Sequence, residues 1–404
     1  MDFEFDEDQK LFRDSLREFL QKEIAPIADD MDKKGALTRE EALGIMRKLR
    51  QVGIGYDMEC ITELFGDMIM YGIVAEEVSR VWASLLPLFG MTALPGILVN
   101  FATDDVKDKW IPRMERGEFI GCFGESEPAH GCDTSGIETT AVQKGDKYVI
   151  NGNKTWISNA TIEDMTLVGA KVDGEATFIL VDKEESPYGS SLLHKIGWNA
   201  DPTGELFFED CETPVDNEMN NLFGNAMSSG VLAEFGEKME GFVNMFTKMA
   251  PATALLTPAR AGMALGAVGI AEAALEAAKK YAKERIQFGK QIGRFQLIQE
   301  MLYEIQVFVD TARLLGYNAI YAIQRGLPEA RRLSAEAKVY ACHGSVKATY
   351  LASQIHGGMG LSTEMPLERY FRDARMMTVP DGTNEIMKLI TGYEMLGKGF
   401  SAYV

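Results

Sequence analysis

The chain is poor in the side chains that build metal centres and disulfide frameworks. Its 404 residues include four histidines and five cysteines. The cysteines (Cys60, Cys122, Cys132, Cys211 and Cys342) are odd in number and scattered, with no Cys-x-x-Cys. That usage argues against a stapled scaffold or a zinc site and for reduced thiols. Cys342–His343 with distant His356 makes a poor ligand set, so no metal is expected. Positive charge is short as well. Against 60 Asp and Glu stand 41 Lys and Arg, a formal net charge of −19, which argues against a nucleic-acid or anionic-membrane surface. No run approaches about eighteen uninterrupted apolar residues, so no membrane span is expected. The opening "MDFEFDEDQK" is acidic and lacks the basic and apolar regions of a secretory signal, which predicts a cytoplasmic protein. Internal repeats and low-complexity tracts are also missing.

What is there reads as helix, then sheet, then helix. "DEDQKLFRDSLREFLQKEIAPIA" places Leu11, Phe12, Leu16, Phe19, Leu20 and Ile24 at helical spacing and is expected to stop at Pro26. "TREEALGIMRKLRQVG" has Thr38 as N-cap and Gly53 as its end. Near Phe119 the period changes. "TTAVQKGDKYVINGNKTWIS" alternates apolar and polar residues, with Gly-Asp and Asn-Gly as expected turns. Long Ala- and Gly-rich helical stretches then return from "ARAGMALGAVGIAEAALEAAKKYAKER" onward. The expectation is an α+β multidomain protein with an N-terminal α-helical domain over 1–117 and a middle antiparallel β-domain over 118–240. The remainder, 241–404, is long enough in its helices for a C-terminal four-helix bundle and an oligomer interface.

Four segments carry candidate chemistry, each with a plainer reading beside it. "GESEPAHGCD" (124–133) offers backbone N–H groups that could cradle an anion or a flat polar ring, or it is a polar loop. In "NGNKTWISNA" (151–160), Trp156 and Ser158 alternate around Ile157 and are expected on one sheet face. They suit a ring cofactor, or a half-buried Trp on a sandwich. "ERIQFGKQIGRFQ" (284–296) puts Arg285 at a chain reversal, for phosphate or for a helix dipole. "QIHGGMG" (354–360) follows a helix and lacks Gly-x-Gly-x-x-Gly order, so a Rossmann site is rejected. Finally, "VPDGTNEI" (379–386) is turn chemistry with Thr383 as the next N-cap. Asp381 there is either a turn residue or a carboxylate held out for chemistry.

Taken in order, "ESEPAHGCD", "TTAVQKGDKYVINGNKTWISNA", "PTGELFFEDCETP", "ARAGMALGAVGIAEAALEAAKKYAKERIQFGKQI" and "QIHGGMGLSTEMPLERYFRDARMMTVPDGTNEI" resemble the acyl-CoA dehydrogenase family over essentially the whole chain. The resemblance looks closest to the glutaryl-CoA and anaerobic aromatic- and alicyclic-acid degradation branches. It implies the three-domain fold above, FAD as cofactor, and a homotetramer (a dimer of dimers). By position, Phe123, Glu125, Ser126, Trp156 and Ser158 would surround the isoalloxazine, with Gly131 and Cys132 toward the pyrophosphate and CoA. Arg285, Gln287, Phe288, Gln354 and Gly358 would serve a neighbouring subunit's FAD, and Thr383 and Glu385 would complete the nucleotide site. Arg260 and Gly382 would lie at the CoA thioester. Asp381 falls where most members carry a catalytic glutamate that takes the α-proton while the β-hydride passes to flavin N5. Ala259 occupies the position from which some relatives draw their base instead. Electrons would leave through an electron-transferring flavoprotein.

Departures from the family bear on the substrate. Asp for Glu shortens the arm by about 1.5 Å, where displacements near 1 Å can cost on the order of a hundredfold in rate. Pro380 stands where an aromatic residue is common. Both suggest a bulky branched, alicyclic or aromatic acyl group. The region "VWASLLPLFGM" has no arginine of the kind glutaryl-type members use, and Leu86 takes its place. A Met- and Phe-rich segment before Arg260 is longer than usual; it either roofs the acyl pocket or packs on the bundle. Alternatives to dehydrogenation are decarboxylating or dicarboxylyl-CoA oxidation, the enoyl-CoA reductase direction, and a non-catalytic flavin binder.

Overall fold

The computed structural model describes residues 4–249 and 251–402. Helices from Glu7–Glu23 to Asp104–Glu115 form the N-terminal part. Pro26 does not simply end the first helix. It sits in the first turn of a second, Ala25–Lys34, where its missing N–H costs nothing. Thr38 caps Arg39–Arg50 through a capping box with Glu41, as its sequence predicts.

The middle region is one sheet built from β1 (Gly121–Gly124), β2 (Thr140–Lys144), β3 (Lys147–Ile157), β4 (Met165–Val172), β5 (Glu175–Asp182), β6 (Gly189–Leu192) and β7 (Gly204–Pro214). Its order is β1-β4-β2-β3-β7-β6, with β5 also on β4. Most pairs are antiparallel, but β1 and β2 each meet β4 in parallel. Gly145–Asp146 makes the tight β2–β3 turn. The Asn-Gly expected as a second turn lies inside β3, where the register against β7 shifts between Ile150 and Gly152. It is a bulge, and the Asn151 amide donates to Asp210 across it.

Three short helices, Met219–Ser228, Val231–Lys238 and Glu240–Lys248, follow the sheet. Phe235 is buried edge-on against Phe101, and the Asn225 amide donates to the Phe101 and Ala102 carbonyls. The extra segment thus packs onto the end of the N-terminal helices. The bundle then consists of Pro251–Glu284, Gln296–Gln324, Ala330–His356 and Asn384–Leu396, with Leu367–Met376 beside them. Ala252–Glu284 is long and apolar enough to cross a membrane by length and composition alone, yet its apolar window is largely buried in the bundle.

Close approach is what the small residues of that helix serve. A Cβ at Gly269 would lie 2.1 Å from the Glu76 carbonyl oxygen of helix Met68–Trp82. Gly269→Val should therefore lower unfolding stability by about 1–3 kcal/mol, read as a lower urea midpoint at unchanged slope. The same interface holds a polar network. Arg313 bonds Glu76 and Glu272, each at 2.8 Å, and Arg17 reaches Glu77.

A second buried carboxyl gives the fold a pH dependence. Asp373 accepts from the Trp198 N–H at 2.7 Å, while its other oxygen has no hydrogen-bond partner among the described residues. Burial pushes its pKa up to about 7, against the pull of Arg369. A carboxyl raised on folding prefers its proton in the folded state, so its contribution is present at low pH and lost as pH rises through about 7. The melting temperature of the wild type should fall relative to Asp373→Asn between pH 4 and pH 7, by the equivalent of about 3 kcal/mol.

Candidate active site

The loop between helices Leu367–Met376 and Asn384–Leu396 is closed by the Asn384 N–H on the Thr378 carbonyl, 3.1 Å. Thr383 caps the second helix through the Ile386 N–H, so the turn expected at Pro-Asp-Gly is present. Within it Asp381 has φ +57° and Gly382 φ +91°. Asp tolerates that left-handed region better than most residues. At 382 only glycine fits, because a Cβ would also lie 2.6 Å from the Met387 methyl.

Two buried cations hold the successive carbonyls of this turn. Arg260 Nε donates to the Asp381 carbonyl at 3.0 Å, and Lys338 Nζ to the Gly382 carbonyl at 2.6 Å. Neither touches the Asp381 carboxylate, which has no hydrogen bond or ion pair among the described residues. That carboxylate is half-buried, and burial raises its pKa against the opposing charges of Lys338 and then Arg260. Its own charge is felt by three nearby groups, each already pushed up by burial: Tyr71, Glu125 and Cys342. The Tyr71 hydroxyl lies 3.4 Å from the Pro258 carbonyl, two residues before Arg260. The result is a free carboxylate whose backbone is fixed and whose acidity is weakened. Such a group can accept a proton from a weak carbon acid.

The other expected site residues fall into two groups. Phe123, Glu125 and Ser126 end β1 and enter the polar loop that carries Gly131 and Cys132. The Phe123 ring packs inward on Phe178 at 5.3 Å. Trp156 is 59% exposed with φ +61°, and Ser158 donates to Asp201 at 2.9 Å. A register shift between Lys154 and Ile157, rather than simple strand alternation, turns them out. The loop is fastened from below by Lys154, fully buried, whose Nζ lies 2.7 Å from Glu127 and 3.2 Å from the Glu125 carbonyl. Burial alone would raise the Glu127 pKa. Lys154 and the N–H groups of Glu138 and Thr139 outweigh it and hold the carboxylate near 2.

Arg285, Gln287 and Phe288 lie at the opposite end of the helix that carries Arg260, about 37 Å away along its axis. Phe288, 93% exposed, tops the two-strand hairpin Ile286–Gln287 and Lys290–Gln291. Gln354 and Gly358 join them there, since His356 stacks on Tyr281 at 4.3 Å. One ligand cannot reach both groups within one chain. Thr383 and Glu385 stay with Asp381, Glu385 exposed in the first turn of its helix.

Lys338, Tyr71, Asp201 and the Lys154–Glu127 pair were not singled out from the sequence. For Lys338 a signal existed: it shares a helical stripe with Ser334, Cys342, Ser345 and Thr349, all buried, where a lysine needs a partner.

The outward Trp156 plane and the polar loop above Lys154 suit a flat, polar, anionic dinucleotide such as FAD better than a metal. No group of three His, Cys, Asp or Glu among the described residues could hold an ion. Comparisons with known proteins give the family. Family models described as acyl-CoA dehydrogenase N-terminal, middle and C-terminal domains match residues 6–118, 122–211 and 249–396. Glutaryl-CoA dehydrogenase of Desulfococcus multivorans is 33% identical over 98% of both chains. A 3-(aryl)acrylate reductase of Clostridium sporogenes is 32% identical over 97% of this chain and 99% of its own. The solved butyryl-CoA dehydrogenase of Megasphaera elsdenii superposes with a TM-score of 0.82 at 30% identity, covering 98% of this chain and 100% of its own.

Proposed function

This chain belongs to the acyl-CoA dehydrogenase family, oxidoreductases acting on acyl-CoA, and we propose that it forms an α,β-double bond in an acyl-CoA thioester with Asp381 as the base. The observation that carries the reading is the free Asp381 carboxylate on a turn whose carbonyls are held by Arg260 and Lys338. A proton α to a thioester is weakly acidic, so its removal needs a base of raised pKa within reach and a polarised carbonyl. Asp381 takes the α-proton onto a carboxylate oxygen, and the Asp381–Gly382 backbone, fixed by the two cations, orients it. FAD, when bound, supplies the acceptor for the β-hydride.

Phe123, Glu125, Ser126, Gly131, Cys132, Trp156, Ser158, Thr383 and Glu385 are proposed to hold FAD, with Cys132, Arg260 and Gly382 also facing the thioester. Arg285, Gln287, Phe288, Gln354 and Gly358, far from Asp381 in this chain, are proposed to reach the FAD of a neighbouring copy. Exposed Tyr303, Val307, Leu314 and Tyr321 form one stripe on helix Gln296–Gln324, which supports assembly through the bundle into a homotetramer. An electron-transferring flavoprotein as acceptor and a cytoplasmic location belong to the same proposal.

The acyl group is proposed to be branched, alicyclic or aromatic, from the short Asp381 arm and Pro380. Anaerobic turnover of a panel of acyl-CoAs tests it. Bulky thioesters should give at least about tenfold higher kcat/KM than butyryl- or octanoyl-CoA, as one displaced or missing contact allows. Straight chains as much the best substrates would overturn this part. The relative named an aryl-acrylate reductase favours a second reading, in which the same site runs toward the saturated acid. Product analysis after anaerobic turnover separates the directions.

A further inference from the structure

A fully buried lysine beside a catalytic turn calls for a reason. Lys338 projects from helix Ala330–His356 among Ser334, Ala335, Ala341 and Cys342, all buried. Taking an ammonium out of water costs several kcal/mol, and one hydrogen bond to a carbonyl does not offset that. Among the described residues Lys338 has no carboxylate within ion-pair distance. Its one hydrogen-bond partner among the described residues is the Gly382 carbonyl at 2.6 Å. Burial lowers its pKa and nearby Arg260 adds to that, while Asp381 and Glu385, at longer range, favour the ammonium and oppose the fall.

Resting on the assignment of Asp381 as base, we infer that Lys338 is a positioning residue for proton abstraction. Its ammonium pins the Asp381–Gly382 turn by the Gly382 carbonyl and sets a positive charge behind the Asp381 carboxylate without pairing with it. A direct ion pair would hold the carboxylate but would also occupy the lone pair that must receive the α-proton. Gripping the backbone keeps the oxygen free while the nearby charge still favours ionisation. Arg260 does the same one residue earlier, so the two cations divide the turn between them.

The charges facing Asp381 come from every element around it. Lys338 and Arg260 favour its ionised form; Glu125, after β1, opposes it. Tyr71 and Cys342 are neutral because burial raises both above their ordinary ranges. Removing the Lys338 charge therefore leaves Arg260 alone against burial and Glu125, and the Asp381 pKa must rise.

The test uses the FAD-loaded full chain. Lys338→Met is close in length and has neither charge nor donor. Lys338→Gln keeps a donor without the charge. The limiting rate of flavin bleaching by a saturating acyl-CoA is measured against pH. In both variants the acid limb should move up by about one pH unit. The Met variant should also lose about tenfold or more in limiting rate with KM changed less than about threefold, and Gln should lose less. The infrared carboxyl band of Asp381, identified by its loss in Asp381→Asn, is titrated without turnover and should shift with the acid limb. Yellow, stable variants whose band and acid limb superimpose on the wild type would overturn the inference. So would failure of both variants to fold with FAD, since the lysine would then be a folding residue. Failure of the base assignment looks different: Asp381→Asn bleaches as fast as the wild type, while the infrared titration still reads the effect of Lys338 on the Asp381 carboxyl.

Discussion

Asp381→Asn should slow flavin bleaching by an acyl-CoA on the order of 10³-fold while FAD remains bound. General-base catalysis by a positioned side chain contributes about 10²–10⁴-fold, and here no second base stands ready. Ala259 cannot serve, and Glu125 lies in the loop after β1 that is proposed to hold FAD. Asn preserves shape, and the contacts of Arg260 and Lys338 go to carbonyls that the substitution leaves in place. A loss of rate therefore reports the missing lone pair rather than a collapsed turn. The wild-type profile should rise with pH through a value above that of an ordinary Asp, because burial raises the Asp381 pKa and the base form is the ionised one. Rapid mixing under anaerobic conditions checks both points. Bleaching unchanged within about twofold would remove Asp381 from the chemistry.

The second large effect concerns the floor of the FAD loop. Lys154→Met should destabilise the protein by about 3–5 kcal/mol, the usual cost of leaving one member of a buried ion pair uncompensated. Lys154 and Glu127 are both almost wholly buried, and Glu127 also ties down the N–H groups of Glu138 and Thr139. Losing the cation frees the loop from Glu125 to Glu138 on both sides. The variant should lose FAD on gel filtration at a protein concentration where the wild type stays yellow, and its melting temperature should fall by several degrees. The double variant Lys154→Met with Glu127→Gln should recover much of the stability, because no buried charge is left unpaired.

Sheet and helices were legible because their periods differ: Leu16, Leu20 and Ile24 mark one buried helical face, and the β2–β3 run marks another pattern. Misreadings came where one residue type serves two geometries. Asn151–Gly152 is as good a bulge as a turn, and only pairing with β7 decides between them. Pro26 can end a helix or begin one. The turn that carries Asp381, the proposed base, was legible from its neighbours in sequence, with Thr383 capping the next helix. The means of holding it was not, since Arg260 and Lys338 lie 121 and 44 residues away from the carbonyls they bind. Lys338 reads as a solvated side chain unless its stripe with Ser334, Cys342, Ser345 and Thr349 is taken as the buried face.

The central claim is that this site removes two hydrogens from adjacent carbons of an acyl-CoA. Its most direct measurement is anaerobic mixing of the FAD-loaded protein with about one equivalent of a branched, cyclic or aryl acyl-CoA, followed by mass spectrometry of the thioester. The account predicts a bleached flavin and a product lighter by two hydrogens in the wild type, and neither in Asp381→Asn. A flavin that stays oxidised with the thioester unchanged across the whole panel would contradict it.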